Sequence, residues 1–130
     1  MKKLILLIED DLATIDVYQT AFKVDNLELE VITWGGDAIE RIKAVKEGKA
    51  KKPDIILLNL FLPDISGLGI LEEIRKHEET KDIPVFILTS YTIRQLARLG
   101  YDFKPEKHIN KFNYPPTRLV KLIKDRLGEK

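Results

Sequence analysis

The sequence predicts an α/β fold, a parallel sheet covered by helices on both faces. Short apolar runs within residues 4–8, 55–58 and 84–88 read as strands buried on both sides. The stretches between them carry apolar residues at helical spacing, and strands alternating with helical patterns build βα units around a parallel sheet. Each buried run also ends abruptly in polar residues, which places side chains at the carboxyl edge, where such sheets collect ligands.

With 130 residues the chain falls in the range of a single domain, and residues 1–130 are expected to form one. A 44% hydrophobic and 33% charged composition is ordinary for a globular protein, and a net charge of +1 argues against nucleic-acid binding by bulk electrostatics. No helix-turn-helix is expected after the last helix. The lack of cysteine excludes disulfides and thiolate metal sites. Only five apolar residues separate Lys3 from Glu9, too few for a signal peptide or a membrane span, so a cytoplasmic location is expected.

The first strand, residues 4–8, ends in Glu9-Asp10-Asp11. A helix from Leu12 to about residue 24 follows on Ile15, Tyr18 and Phe22, with Asp11 as its N-cap and Asn26 as its stop. Strict alternation over residues 27–31 marks a second strand with one wet face, at a sheet edge. Gly35-Gly36 reads as a break before a helix over residues 37–47 on Ile39, Ile42 and Val45. The lysines of residues 48–53 read as a solvated loop rather than a docking patch.

The strand at residues 54–59 ends at Asn59, and the turn-rich Leu62-Pro63-Asp64 and Gly67 lead into a helix over residues 67–76 on Leu68, Leu71 and Ile74. Pro84 opens a fourth strand that ends in Thr89-Ser90, and proline suits a first strand position. Residues 92–99 predict a short, weakly amphipathic helix with Ile93, Leu96 and Ala97 inward. Residues 107–110 are too short and polar for a central strand and read as the second edge, ending at Lys111. The last helix carries Leu119, Leu122, Ile123 and Leu127, with Pro116 in its first turn.

Wet second and fifth strands fit the edges of a flavodoxin-like sheet of order 2-1-3-4-5. That order brings Glu9, Asp10 and Asn59 together at the switch point, with Thr89 and Lys111 arriving from neighbouring strand ends. Crowded carboxylates ask for a hard divalent cation, magnesium best of all. The alternative for the acids is that Asp10 or Asp11 caps the first helix while Glu9 faces water. A carboxylate at position 59 would be a nucleophile toward phosphorus; the amide of Asn59 cannot attack and should weaken magnesium binding without abolishing it. Thr89 could donate to a phosphoryl oxygen or help Ser90 cap the next helix, and Lys111 could neutralise an anion or simply be a surface lysine.

These residues resemble the receiver domain of two-component response regulators, including the stand-alone chemotaxis type. The matching motifs are Ile5-Leu6-Leu7-Ile8-Glu9-Asp10-Asp11, Asp54-Ile55-Ile56-Leu57-Leu58-Asn59 with Leu62-Pro63-Asp64 and Gly67, Pro84-Val85-Phe86-Ile87-Leu88-Thr89-Ser90, and Lys111. The resemblance implies a non-enzymatic phosphorelay signalling domain whose partner is a sensor histidine kinase or a downstream protein. It makes Glu9 and Asp10 the acidic pair, Asp10 being the more direct magnesium ligand, and adds the Phe61 carbonyl to the metal site. Asn59 occupies the phosphoacceptor aspartate position, Thr89 and Lys111 match the switch hydroxyl and lysine, and His108 matches the switch aromatic. The chain departs from the family pattern in having Phe112-Asn113-Tyr114-Pro115 where proline usually follows the lysine directly.

Two versions of this reading differ in whether Asn59 is native, giving a pseudo-receiver, or an engineered replacement for an aspartate in an ordinary phosphoacceptor. A metal-dependent phosphohydrolase would need an aspartate at 59 and a second acid at 61, which Asn59 and Phe61 do not supply. A flavin or nucleotide module would need a phosphate-cradling loop after the first strand, where Glu9-Asp10-Asp11 would repel phosphate. Tyr91, Tyr101, Phe103, Phe112 and Tyr114 surround the expected output face as candidate partner anchors.

Overall fold

Successive residues of a strand face opposite sides, so an uninterrupted apolar run needs a hydrophobic layer on each. The computed structural model describes residues 2–24, 26–100, 107–110 and 114–128 and has both layers. In chain order the elements are β1 (Lys3–Ile8), α1 (Leu12–Ala21), β2 (Leu27–Ile32), α2 (Gly35–Lys46), β3 (Ile55–Asn59), α3 (Gly67–Lys76), β4 (Val85–Thr89), α4 (Ile93–Arg98), β5 (Lys107–Asn110) and α5 (Pro116–Arg126). The sheet is parallel, in the order β2-β1-β3-β4-β5. This is the flavodoxin-like order expected from the wet edge strands.

Ile5, Leu7, Ile55, Leu57, Phe86 and Leu88 pack with Ile15, Tyr18 and Phe22 of α1 and Leu119 and Ile123 of α5. The alternate residues Leu6, Ile8, Ile56, Leu58, Val85 and Ile87 pack with Ile42 of α2, Ile70 and Ile74 of α3 and Leu96 of α4. Among the described residues no helix is long and apolar enough to cross a membrane.

Local departures from the sequence expectation have nonlocal causes. α1 ends at Ala21, and Asn26 instead takes a positive φ of 71° in the turn before β2, where its carbonyl accepts from Lys3 N–H at 2.8 Å. Gly35 and Gly36 begin α2 rather than interrupting the chain, because a side chain from the β3–α3 loop caps them. Asp54 lies outside β3 and clasps β1, its carboxylate accepting from Leu4 N–H at 2.7 Å and its N–H donating to Leu4 O at 2.8 Å. In α4 only Leu96 is buried; Ile93 and Ala97, expected inward, are exposed because a helix of six residues turns just one position onto the sheet. Glu30 on edge strand β2 pairs with Arg41 of α2 (Nε to Oε2, 2.8 Å), while Lys49, Lys51 and Lys52 are exposed in the loop that follows α2.

Candidate functional site

Leu7 and Leu57 are register partners in adjacent strands and face the same layer. Two residues further along, Glu9 and Asn59 therefore emerge on one side of the carboxyl edge and meet. The Asn59 Nδ2 group donates to Glu9 Oε2 at 2.7 Å and to Asp10 Oδ1 at 3.1 Å, and lies 3.4 Å from the Phe61 carbonyl oxygen. Asn59 Oδ1 in turn accepts from Phe61 N–H at 3.1 Å. Turning the amide over would set its oxygen against two carboxylates and its NH2 against another N–H, so the surroundings define its orientation.

Glu9 is fully buried rather than facing water. Its Oε2 also accepts from the backbone N–H groups of Asp10 at 3.0 Å and Asp11 at 3.3 Å, which folds the carboxylate over the first turn of the loop. Asp10 is exposed at the mouth. Asp11 is the helix cap expected of it, its carboxylate accepting from the N–H and the hydroxyl of Thr14.

Thr89 is buried at the end of β4, one residue past Leu88, the register partner of Asn59. Its hydroxyl oxygen accepts from Tyr91 N–H at 3.0 Å and so braces the turn after the strand. The α4 cap is Thr92, locked reciprocally with Gln95, and not the Thr89–Ser90 pair. Tyr91 packs on Phe61 with ring centroids 4.8 Å apart, and both rings are partly exposed beside the pocket. Thr89 pairs in register with Asn110, and His108 lies in β5. The His108 side chain and the whole of Lys111, Tyr101, Phe103 and Phe112 lie outside the described residues.

Two groups around the site escaped sequence reasoning. Asp64, in the loop after β3, accepts from Gly36 N–H and Gly35 N–H, both at 2.8 Å, and caps α2, whose own N-cap residue Trp34 makes no such bond. The bond from Gly36, seconded by Gly35 against a burial effect of opposite sign, holds the Asp64 carboxyl below the usual aspartate range. Tyr18 of α1 is buried in the layer that holds Leu7 and Leu57; burial first and the Glu9 charge second push its hydroxyl up to about 12. The Leu62-Pro63-Asp64 turn and the paired glycines were the available signals for Asp64. Nothing in the local sequence marked Tyr18 as more than a core residue.

Among the described residues no three acids or histidines gather as a metal cluster, so a cation here would draw on the two carboxylates and a peptide carbonyl. Glu9, Asp10 and the Phe61 carbonyl already converge on one point, the Asn59 amide nitrogen. These are hard oxygen donors of the kind magnesium takes.

The family model described as the response regulator receiver domain matches residues 5–124. The chain belongs to that family. This receiver domain is 29% identical over 107 residues to the DNA-binding dual master transcriptional regulator RpaA of Synechocystis sp., a match that covers 82% of this chain and 42% of that protein. It is 27% identical over 127 residues to the DNA-binding response regulator MtrA of Mycobacterium tuberculosis, covering 98% of this chain and 51% of that protein. The receiver chain thus spans about half the length of the curated relatives it matches. Among solved structures it superposes on the phosphorylated cyanobacterial phytochrome response regulator RcpA with a TM-score of 0.82 at 28% identity, covering 96% of this chain and 93% of the other. It also superposes on the receiver domain of the sensor histidine kinase PA1611 from Pseudomonas aeruginosa, solved with magnesium in its active-site cleft. There the TM-score is 0.79 over 99% of this chain and 100% of the other; at 19% identity that likeness shows the fold alone.

Proposed function

We propose that this receiver domain of two-component signalling has Asn59 at its phosphoacceptor position and works through protein contacts, without being phosphorylated there. The observation that carries this reading is the place of Asn59: the end of β3, hydrogen-bonded to both acids of the switch point. An aspartate in that place could attack phosphorus through a carboxylate oxygen while the leaving group departs with its electron pair. The asparagine nitrogen is delocalised into its carbonyl and has no such lone pair to offer. Residues 1–130 form one such unit in this proposal, working in the cytoplasm.

In the same reading Glu9, Asp10 and the Phe61 carbonyl are the groups that would hold magnesium, only weakly here, because Asn59 brings no charge to the site as an aspartate would. A bound magnesium ion would neutralise phosphoryl oxygens. Thr89, Lys111 and His108 take the switch positions. The partner, a sensor histidine kinase or a downstream protein, meets the exposed Phe61–Tyr91 ring pair at the pocket mouth.

The test is intact-mass measurement of this chain and of Asn59→Asp after incubation with magnesium and acetyl phosphate. The expected result is one added phosphoryl group on Asn59→Asp and none on the parent chain. A phosphoryl group mapped to residue 59 or its neighbours in the parent chain would sink the reading, and so would an unreactive Asn59→Asp chain.

A further inference from the structure

We propose that the neutral Asn59 amide stands in for a divalent cation in the acidic pocket, its NH2 group satisfying by hydrogen bonds the oxygens a metal would otherwise draw on. The pocket is therefore assembled without metal. The inference rests on the receiver reading above for the identity of the ion that is replaced.

A buried carboxylate has to be compensated by hydrogen bonds or a nearby positive charge. Glu9 is fully buried, and Asn59, itself 7% exposed, aims both protons of its NH2 group at acid oxygens, Glu9 Oε2 at 2.7 Å and Asp10 Oδ1 at 3.1 Å. With the Phe61 carbonyl oxygen at 3.4 Å, the nitrogen sits among the same three oxygens that a hard cation would draw on. An aspartate at 59 would bring a third acceptor to this point and no donor. Asparagine brings the donors.

The other end of the amide makes the arrangement hard to undo. Asn59 Oδ1 accepts from Phe61 N–H at 3.1 Å. An entering cation would have to displace the NH2 group from both carboxylates, and rotating the amide to present its oxygen would set NH2 against the Phe61 N–H, two donors face to face. The bond to Phe61 also holds the residue whose ring packs on Tyr91. The exposed ring pair is thus kept in one arrangement whether or not the medium contains magnesium.

The experiment combines thermal unfolding with nitrogen-edited NMR, on the parent chain and on Asn59→Asp, each with a chelator and with millimolar magnesium chloride. In the parent chain we expect Tm to move by no more than about 1 °C on adding magnesium. Its Asn59 side-chain NH2 signals should be present and slowly exchanging in chelator and unmoved by the metal. For Asn59→Asp we expect a clear magnesium-dependent rise in Tm and an affinity at least about tenfold above that of the parent chain. A parent chain that gains as much from magnesium as the aspartate variant, or whose Asn59 amide protons exchange at the solvent rate without metal, overturns the inference. An Asn59→Asp chain indifferent to magnesium overturns the reading of Glu9, Asp10 and the Phe61 carbonyl as a magnesium site, whichever way the parent chain behaves.

Discussion

At position 59 the difference between an acid and an amide is one oxygen exchanged for an NH2 group, and the surrounding atoms turn that exchange into a changed charge balance. Replacing Asn59 with leucine keeps the volume but removes a donor to buried Glu9 and the acceptor for Phe61 N–H. The expected loss is about 1–3 kcal/mol, read from urea unfolding, since a buried group that loses one of its hydrogen-bond partners is less fully compensated for its desolvation. Tyr18 supplies a pH signature for the same corner. Its hydroxyl ionises at about 12 in the folded chain against 10.0 ordinarily, so the unfolded chain loses its proton first. That contribution is complete below pH 10.0 and is lost as pH rises toward about 12. Tyr18→Phe should flatten this part of the curve of Tm against pH, and an unchanged alkaline fall would argue against it. Glu9, Asp10 and Asn59 were legible as a group because strand parity and the expected sheet order bring them to one edge. Tyr18 was not, because its altered acidity arises only when α1 lies against that edge.

Among the elements, the loop between β3 and α3 is held at both ends. Asp64 ties it to the start of α2, and at its far end a Cβ on Gly67 would lie 2.6 Å from Leu60 Cα and 2.7 Å from the Asn59 carbonyl oxygen. Gly67→Ala must push backbone against backbone, and about 1–3 kcal/mol of stability should be lost in chemical denaturation, as in other overpacked sites. Because the displaced atoms belong to Asn59 and Leu60, the Asn59 side-chain NMR signals should shift as well. The Asp64 cap has its own pH dependence: a carboxyl held below 3.8 stabilises fully above that value and loses its contribution as pH falls through the lower folded pKa. Asp64→Ala should therefore lower Tm at neutral pH and converge on the parent chain in strong acid, as followed by circular dichroism. A gap that persisted undiminished in acid would mean that the carboxylate charge is not what matters. Sequence patterning located α2 but put Gly35 and Gly36 outside it, since the carboxylate that caps them comes from 29 residues away. α4 was located with too wide an apolar face, since a weak pattern over so few residues cannot say which of them meets the sheet.

Across the whole molecule, a double layer of apolar side chains supports the sheet while its carboxyl edge keeps polar residues buried. Leu57 sits at full burial in the middle of β3, so Leu57→Ala should cost about 2–5 kcal/mol of unfolding free energy. Tyr91→Ala, at a partly exposed ring, should leave stability within about 0.5 kcal/mol while weakening binding of the proposed partner, a sensor histidine kinase or a downstream protein, about tenfold or more, read by calorimetry. Unaltered affinity would remove the Phe61–Tyr91 pair from the proposed contact surface. The fold class, the strand order and the meeting of Glu9, Asp10 and Asn59 follow from sequence alone, because they depend on short-range facts: which runs are apolar, which alternate, and which way parity turns the next side chain. The direction of the Asn59 amide, the Asp64 cap and the acidity of Tyr18 were decided only by tertiary structure. Hydrogen bonds discriminate over tenths of an ångström and desolvation depends on every neighbour, and some of the neighbours that matter are far along the chain: Asp64 stands 29 residues from Gly35 and Glu9 stands 50 from Asn59.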